Sequence, residues 1–343
     1  MAHEISVVNG RAEAAFYGRR AWHGLGKVIE GDRAPTSDEI MVAAGLDVPV
    51  IQRQLTLAGS DLPIPGWVAN VRSDNNDVLG IVTEDYKVIQ NREAFRFLDS
   101  LQQDGVMRYE SAFALRGGRR VCILARLPSV IDFADNDKGE KYILFSTGHD
   151  GDHGTRVMPT VVRVVCANTQ RLAISIGESK RQVFTIVHTG NVSRKLDMAR
   201  AFISQFDRKF DLYRDQAAEL IGLQYTQEQK EEFLSTLFPA VAEDAGIRTK
   251  NNLARKLAAV QRELDGETVA GLGQDGTWWG LLNAVTGYVD HRNNYKGDEA
   301  KRAERRLESL VYGPAAQFKD HALALALVRS GVAERHPELA VSA

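Results

Sequence analysis

Residues 109–125, with the sequence YESAFALRGGRRVCILA, determine how the first half of the chain folds. Small and apolar side chains alternate with a period of two on both sides of Gly117-Gly118, a pattern typical of half-buried strands. The two glycines adopt positive φ at little steric cost and suit a two-residue turn. The stretch therefore predicts a β-hairpin with three arginines at its tip: Arg116, Arg119 and Arg120.

Similar alternation on either side of this hairpin predicts further strands. Between them, Asn91 is a suitable cap for a short helix, with apolar residues spaced by three and four up to Leu101 and Gly105 at its end. The predicted strands cover residues 48–57, 67–72, 78–82, 142–147, 157–166 and 181–188.

The hydrophobic period changes near residue 190, and the second half of the chain has a helical pattern. Apolar residues recur every three or four positions from Val192 to Leu220, which predicts a helix of about 30 residues by the 3.6-residue period. Thr226 and Gln229 form a predicted capping box for the next helix. Further helices are expected over residues 252–264, 278–289, 299–311 and 315–328.

This order of elements predicts an α+β fold: an antiparallel β-rich N-terminal half with an inserted helix, followed by an all-helical C-terminal half. We expect a β-rich α+β domain with a basic binding surface over residues 1–190, a helical region over 191–335 and a loose tail over 336–343.

The composition excludes several classes of protein. A formal charge of −2 over 343 residues excludes a uniformly basic protein that coats nucleic acid. Two cysteines, Cys122 and Cys166, are too few for a disulfide scaffold and indicate a reducing compartment. No signal peptide or membrane span is evident, so we expect a cytoplasmic protein without membrane contact. The glycine-rich phosphate loops of dinucleotide and P-loop folds are absent from the sequence.

The near-neutral total conceals a separation of charge. Residues 151–214 carry a net charge of +6, whereas residues 215–247 are acidic. A local site for a polyanion needs such a distribution. The candidate nucleic-acid-binding residues are a predicted stacking aromatic and the cations that would neutralise phosphates: Tyr86, Lys87, Arg116, Arg119, Arg120, Arg163, Lys180, Arg181, Arg194 and Lys195.

A second candidate site lies in the loop between two predicted strands. His149, Asp150, Asp152 and His153 supply two imidazoles and two carboxylates within five residues, and such groups ligate divalent metals that activate water. The alternative is a polar turn, because Asp-Gly is a common turn pair between strands. The spacing matches no specific metal motif, so both interpretations stay open.

Together, several short motifs resemble the phage/plasmid-like protein family, a group with a domain of unknown function found on phages, plasmids and other mobile elements. The resemblance covers nearly the whole chain. It implies that the protein belongs to a mobile element, but it implies no particular reaction. The motifs occur at residues 22–26 (WHGLG), 86–91 (YKVIQN), 148–151 (GHDG), 162–169 (VRVVCANT), 188–191 (HTGN), 279–286 (WGLLNAVT) and 288–291 (YVDH).

We favour a non-enzymatic nucleic-acid-binding protein without a cofactor, acting as a single-strand DNA annealing protein or an accessory to recombination or replication. The order hairpin, helix, hairpin is compatible with Rad52-like annealing proteins by analogy of fold. The first alternative is a metal-dependent phosphodiester or nucleotide hydrolase that uses the His149–His153 loop. The second is a regulatory or interaction protein with a phage or plasmid partner; a homo-oligomer is compatible with these functions.

Overall fold

A computed structural model confirms the α+β class, with strands concentrated in the first half of the chain and helices mainly in the second. It describes residues 7–8, 11–18, 26–103, 105–163, 169–171, 184–186, 206–293, 295, 305–306, 309–310 and 313–340.

The strands are numbered in chain order. They are β1 (Val7–Val8), β2 (Arg11–Ala12), β3 (Ala14–Tyr17), β4 (Lys27–Ile29), β5 (Val50–Thr56), β6 (Pro63–Arg72), β7 (Val78–Thr83), β8 (Arg108–Leu115), β9 (Arg120–Ala134), β10 (Asp137–Gly148), β11 (Thr155–Arg163), β12 (Thr169–Arg171) and β13 (Phe184–Ile186).

The α-helices are numbered in the same way, and a π-helical turn, Tyr288–Arg292, continues the sixth. They are α1 (Ser37–Ala44), α2 (Asn91–Gln103), α3 (Phe206–Gly222), α4 (Gln227–Leu237), α5 (Ile247–Leu264), α6 (Trp278–Gly287), α7 (Pro314–Arg329) and α8 (Val332–Arg335).

The strands of the first half form two main sheets. The large sheet has eight strands in the order β12-β11-β10-β9-β8-β3-β4, and β13 also pairs with β11. Its neighbours are antiparallel except for the parallel pair β3–β4. The second, which we call the small sheet, is the antiparallel meander β5-β6-β7.

The hairpin predicted from residues 109–125 is present, but its turn is longer than two residues. Leu115 pairs with Arg120, so four residues connect β8 to β9. We call residues 116–119 the arginine turn. Three consecutive residues adopt positive φ, namely Arg116 (54°), Gly117 (66°) and Gly118 (88°). A non-glycine residue in this conformation is uncommon, which explains why the glycine pair alone predicted a shorter turn.

The large sheet has apolar residues on both faces. One face, which includes Ile123, Phe145 and Val157, joins the main core with residues of the helices. The opposite face carries a smaller cluster that contains Phe113 and Cys122. Cys122 is buried within this cluster. Alternation along the strands therefore places apolar residues on two packed faces rather than on one.

A buried carboxylate joins the helical half to the large sheet. Asp137, at the start of β10, is fully buried and accepts hydrogen bonds from Trp279 Nε1 at 3.0 Å and Gln274 Nε2 at 3.1 Å. Trp279 also packs against Phe133 and Tyr213, with ring centroids 5.0 and 5.8 Å apart. Since a buried carboxylate is costly unless it is hydrogen bonded, this contact fixes how α6 docks on the β9–β10 hairpin.

Capping boxes begin two of the helices. The predicted box before α4 is confirmed, because Gln229 N donates to Thr226 Oγ1 and Thr226 N donates to Gln229 Oε1. An equivalent box formed by Thr36 and Glu39 begins α1. The hydrophobic periodicity did not predict α1.

Several predicted features lie outside the described residues. These are the segments 22–25, 164–168, 187–191 and 192–205, and most of the predicted helix 299–311. At the C-terminus, Pro337–Leu339 form a 3-10 helix, and the buried Leu339 accepts a hydrogen bond from Gln216 Nε2 at 2.7 Å through its carbonyl. In the described part of the chain, no helix has the length and apolar character needed to cross a membrane.

Candidate nucleic-acid interface

The arginine turn rests on a buried guanidinium group. Arg72, at the end of β6, is 5% exposed, and a Cβ atom added to Gly118 would lie 2.7 Å from Arg72 Nη1. Only glycine allows this close approach. Arg116 and Arg119 are exposed, and Arg119 Nη2 lies 3.5 Å from Val78 O of the small sheet. The local structure therefore presents two guanidinium groups on a turn supported from below.

Two carboxylates hold Arg72 in place. Its Nη2 atom lies 2.7 Å from Glu13 Oε1 and 2.9 Å from Asp74 Oδ2, and its Nε donates to Asp74 Oδ1 at 3.0 Å. The bidentate contact with Asp74 fixes the plane of the guanidinium. Burial raises the pKa of Glu13 despite the attraction of Arg72, and Glu13 Oε2 is buried without a hydrogen bond.

The loop at residues 148–154, which we call the histidine loop, lies directly beside the arginine turn. His149 N donates to Arg119 O at 2.8 Å, and Arg120 Nε lies 3.5 Å from Asp150 Oδ2. Asp150 Oδ1 also accepts the backbone N–H groups of Asp152 and His153 at 3.1 and 3.0 Å. The arginine turn and the histidine loop, which the sequence predicted as parts of two separate sites, therefore lie next to each other. Arg120 forms an ion pair with Asp150 there.

His149 is fully buried and joins three parts of the structure. Asn91 donates from Nδ2 to Leu46 O at 2.9 Å, so its Oδ1 atom is the acceptor for His149 Nε2, also at 2.9 Å. Asn70 Nδ2 donates to His149 O at 2.9 Å. The large sheet, the small sheet and the start of α2 therefore meet at this histidine.

The small sheet packs tightly on the histidine loop. A Cβ atom added to Gly80 of β7 would lie 2.6 Å from the backbone of Asp150, and one added to Gly151 would lie 3.0 Å from Val82. A side chain at Gly80 has no room, so glycine at this position is what lets β7 approach the loop.

The segment 86–91 has a positioning role. Tyr86 OH donates to Gly148 O at 2.9 Å, and burial raises the pKa of this hydroxyl, which keeps its proton. Gln90 exchanges two hydrogen bonds with the backbone of Val50, at 2.8 and 3.0 Å. Tyr86 thus joins the two sheets rather than presenting an open stacking face. Lys87 is exposed next to it.

The arrangement of the histidine loop is that of a structural turn. His149 bonds to Asn91, and His153 Nε2 lies 2.9 Å from Ser146 Oγ, with both imidazoles buried. Within the described ranges, no group of three or more His, Cys, Asp or Glu residues is placed to hold a metal ion. Metal binding at His149, Asp150, Asp152 and His153 would need these hydrogen bonds to break.

For the remaining predicted cations, the structure gives no side-chain position beside the arginine turn. Arg163 belongs to β11, and only its backbone is described. Four others lie outside the described residues: Lys180, Arg181, Arg194 and Lys195.

An exposed aromatic that the sequence reasoning did not select lies on the small sheet. Trp67 is 46% exposed, and Ile81, on the same face, is 57% exposed. Trp67 pairs with Thr83, and the exposed Arg53 pairs with Ala69 two residues along β6. Strand alternation in β6 was the available signal, because it puts Trp67 on the face opposite Asn70.

Comparison with known proteins gives a family without a described activity. Residues 78–311 match the family described as Domain of unknown function (DUF932). No curated protein and no solved structure matches the chain.

Replacing Asn91 by alanine should destabilise the protein by about 2–4 kcal/mol, because the His149 N–H and the Leu46 carbonyl both lose a buried partner. Urea unfolding measures this change. Glu93→Ala, an exposed change on the same helix, is the matched control and should stay within about 0.5 kcal/mol. A His149→Ala variant that keeps full stability but loses a bound divalent ion would contradict the structural role.

Glu13 should make stability depend on pH. Because its pKa is raised in the folded state, its contribution to stability is present below the ordinary value of 4.5 and is lost as pH rises through the folded-state pKa. Glu13→Gln should therefore be at least as stable as the wild type at pH 7.5, and this advantage should disappear toward pH 4. Thermal unfolding of both proteins across this range measures the difference. A Glu13→Gln protein that is clearly less stable at pH 7.5 would refute the assignment.

Proposed function

The chain belongs to the DUF932 family, which is defined by a domain of unknown function, so we propose a function from the chemistry of the site: the protein binds single-stranded nucleic acid at the arginine turn. We also propose that the protein is cytoplasmic and is associated with a phage or plasmid. There it acts as an annealing protein or as an accessory to recombination or replication. In this function the protein binds a strand and catalyses no reaction on it.

The observation that carries this proposal is the supported arginine turn with its two exposed arginines. Arg116 and Arg119 are exposed, while the buried Arg72 and its two carboxylates hold the backbone beneath them. A guanidinium group matches the geometry of a phosphate and donates two parallel hydrogen bonds to it. A turn that is already ordered loses little conformational entropy when it binds.

The backbone of the turn is also accessible. A Cβ atom added to Gly117 would meet nothing within 4 Å, and the residue has a φ of 66°. A phosphate can therefore approach the turn closely at Gly117, next to the exposed side chains of Arg116 and Arg119.

The small sheet provides the second requirement of a single-strand site. Proteins that bind single strands combine cations with aromatic faces on which bases stack. Trp67 is half exposed, and Lys87 is an exposed cation that follows the small sheet in the chain. Since Tyr86 is held by Gly148, Trp67 is the aromatic residue that we assign to base stacking.

The exposed arginines of the turn supply the test. Arg116→Ala/Arg119→Ala should weaken binding to a fluorescent 30-nucleotide single strand by about tenfold at moderate salt. The slope of log K against log salt should fall by about 1.4, because each phosphate contact to a single strand contributes about 0.7. Fluorescence anisotropy at several salt concentrations measures both quantities.

Arg33→Ala/Arg92→Ala is the matched control, because it removes the same two charges from exposed arginines that pair with Glu39 and Asp38. It should change the affinity by less than about twofold if only remote, screened charge is lost. Wild-type protein that fails to bind at low salt would refute the proposal. Equal losses in both double variants would also refute it, since they would show a response to net charge alone.

A further inference from the structure

Helix α5 carries a second group of cations, separate from the arginine turn. Residues 247–262 contain no acidic residue, and their basic residues are Arg248, Lys250, Arg255, Lys256 and Arg262. All five side chains are exposed. Ile247, at the start of the helix, is 73% exposed. Most of the surface of the first three turns of α5 is therefore exposed in the described structure.

The helix has a clear division between an inner and an outer face. Leu253 and Leu257 pack against the core, and Val260 and Leu264 are buried. On the opposite side, Arg248, Arg255 and Arg262 follow one another at intervals of seven residues, which places them in one line along a helix. The exposed Asn251 and Asn252 lie between the first two of these arginines.

The basic residues of α5 have no acidic partner in the described structure. Arg255 Nη2 donates to Asn252 Oδ1 at 2.5 Å, and Lys250 Nζ donates to a backbone carbonyl, that of Glu243, at 2.5 Å. Among the ion pairs of the described residues, none involves the five basic residues of α5. Their charge is available to a partner of opposite sign.

We propose that α5 is a second nucleic-acid contact, one that lies in the major groove of double-stranded DNA; this inference rests on the proposed function and adds a duplex to the substrate. The groove is about 12 Å wide and admits one α-helix. The exposed part, residues 247–258, is about 18 Å long at 1.5 Å per residue. Charge complementarity with the phosphates on both sides of the groove draws the helix in.

The types of side chain on the outer face favour a duplex over a single strand. Arginine bonds to the edge of guanine and asparagine to the edge of adenine in the major groove. A single strand is held by stacking on aromatic rings, and α5 contains no aromatic residue. The helix therefore lacks the group that a single-strand site needs and carries those that a duplex site uses.

The fold separates the two contacts. The arginine turn lies directly before the start of β9. Asp137, the residue that accepts the hydrogen bond from Trp279 of α6, follows the end of β9. The 15 residues of β9 span about 45–50 Å at 3.3 Å per residue. α5 packs against α6, the helix that carries Trp279. A substrate that has both a single-stranded and a double-stranded part would reach both surfaces.

The test compares two probes on the full chain, a 30-nucleotide single strand and a blunt 30-base-pair duplex. Arg248→Ala/Arg255→Ala should lower affinity for the duplex by about tenfold or more, since each arginine loses a contact in the groove. Affinity for the single strand should change by less than about twofold. Circular dichroism should show unchanged helix content, because both side chains are exposed.

The matched control is Arg329→Ala/Arg335→Ala, two exposed arginines elsewhere in the helical half. It should leave duplex binding unchanged. Duplex binding that is insensitive to Arg248→Ala/Arg255→Ala, or absent while the single strand still binds, would overturn this inference and leave the proposed function standing. Failure to bind either probe would overturn both. An equal loss for both probes would show that α5 is a general phosphate contact and would overturn the assignment to a duplex.

Discussion

The hydrogen bond between the buried imidazole of His149 and the amide of Asn91 is the constraint on which the candidate site depends. Asn91 begins α2 and also holds the carbonyl of Leu46, while the backbone of His149 holds Arg119 and Asn70. One buried residue thus connects both sheets, a helix and the arginine turn. A buried polar network of this kind specifies one arrangement, because any partner left without a bond is costly.

Support from below is what makes the arginine turn suited to binding. Arg72 lies under Gly118 with its charge satisfied by Glu13 and Asp74, so the exposed arginines of the turn project from an ordered base. A flexible loop with the same side chains would lose more entropy on binding. The segment 86–91 also helps to order this base, because Tyr86 and Gln90 hold the small sheet in place.

Local patterns in the sequence predicted the fold class, the hairpin of residues 109–125, most described helices and the capping box at Thr226, because these depend on near neighbours in the chain. The cap of α1 was equally visible, as Thr36 with Glu39, but its short apolar pattern hid the helix. The position of β3 beside β8 depends on contacts between residues about 100 positions apart, which no local period encodes.

The candidate site was predicted only in part for a similar reason. A count of charge along the chain does not distinguish paired from exposed cations: Arg120 lies beside Asp150, and Arg214 is bound to Asp211 and Asp215 on its own helix. Of the two aromatic residues Tyr86 and Trp67, Trp67 is the exposed one. The sequence does not show this difference, because burial depends on tertiary packing.

Amide hydrogen exchange with and without a saturating 30-nucleotide single strand tests the central claim most directly, namely that the ordered arginine turn is where a nucleic acid binds. The account predicts slower exchange in peptides that contain residues 115–120 when the strand is present, since a phosphate bound by Arg116 and Arg119 reduces local opening of the turn. Unchanged exchange there, with the strand bound and protection confined to other segments, would contradict it.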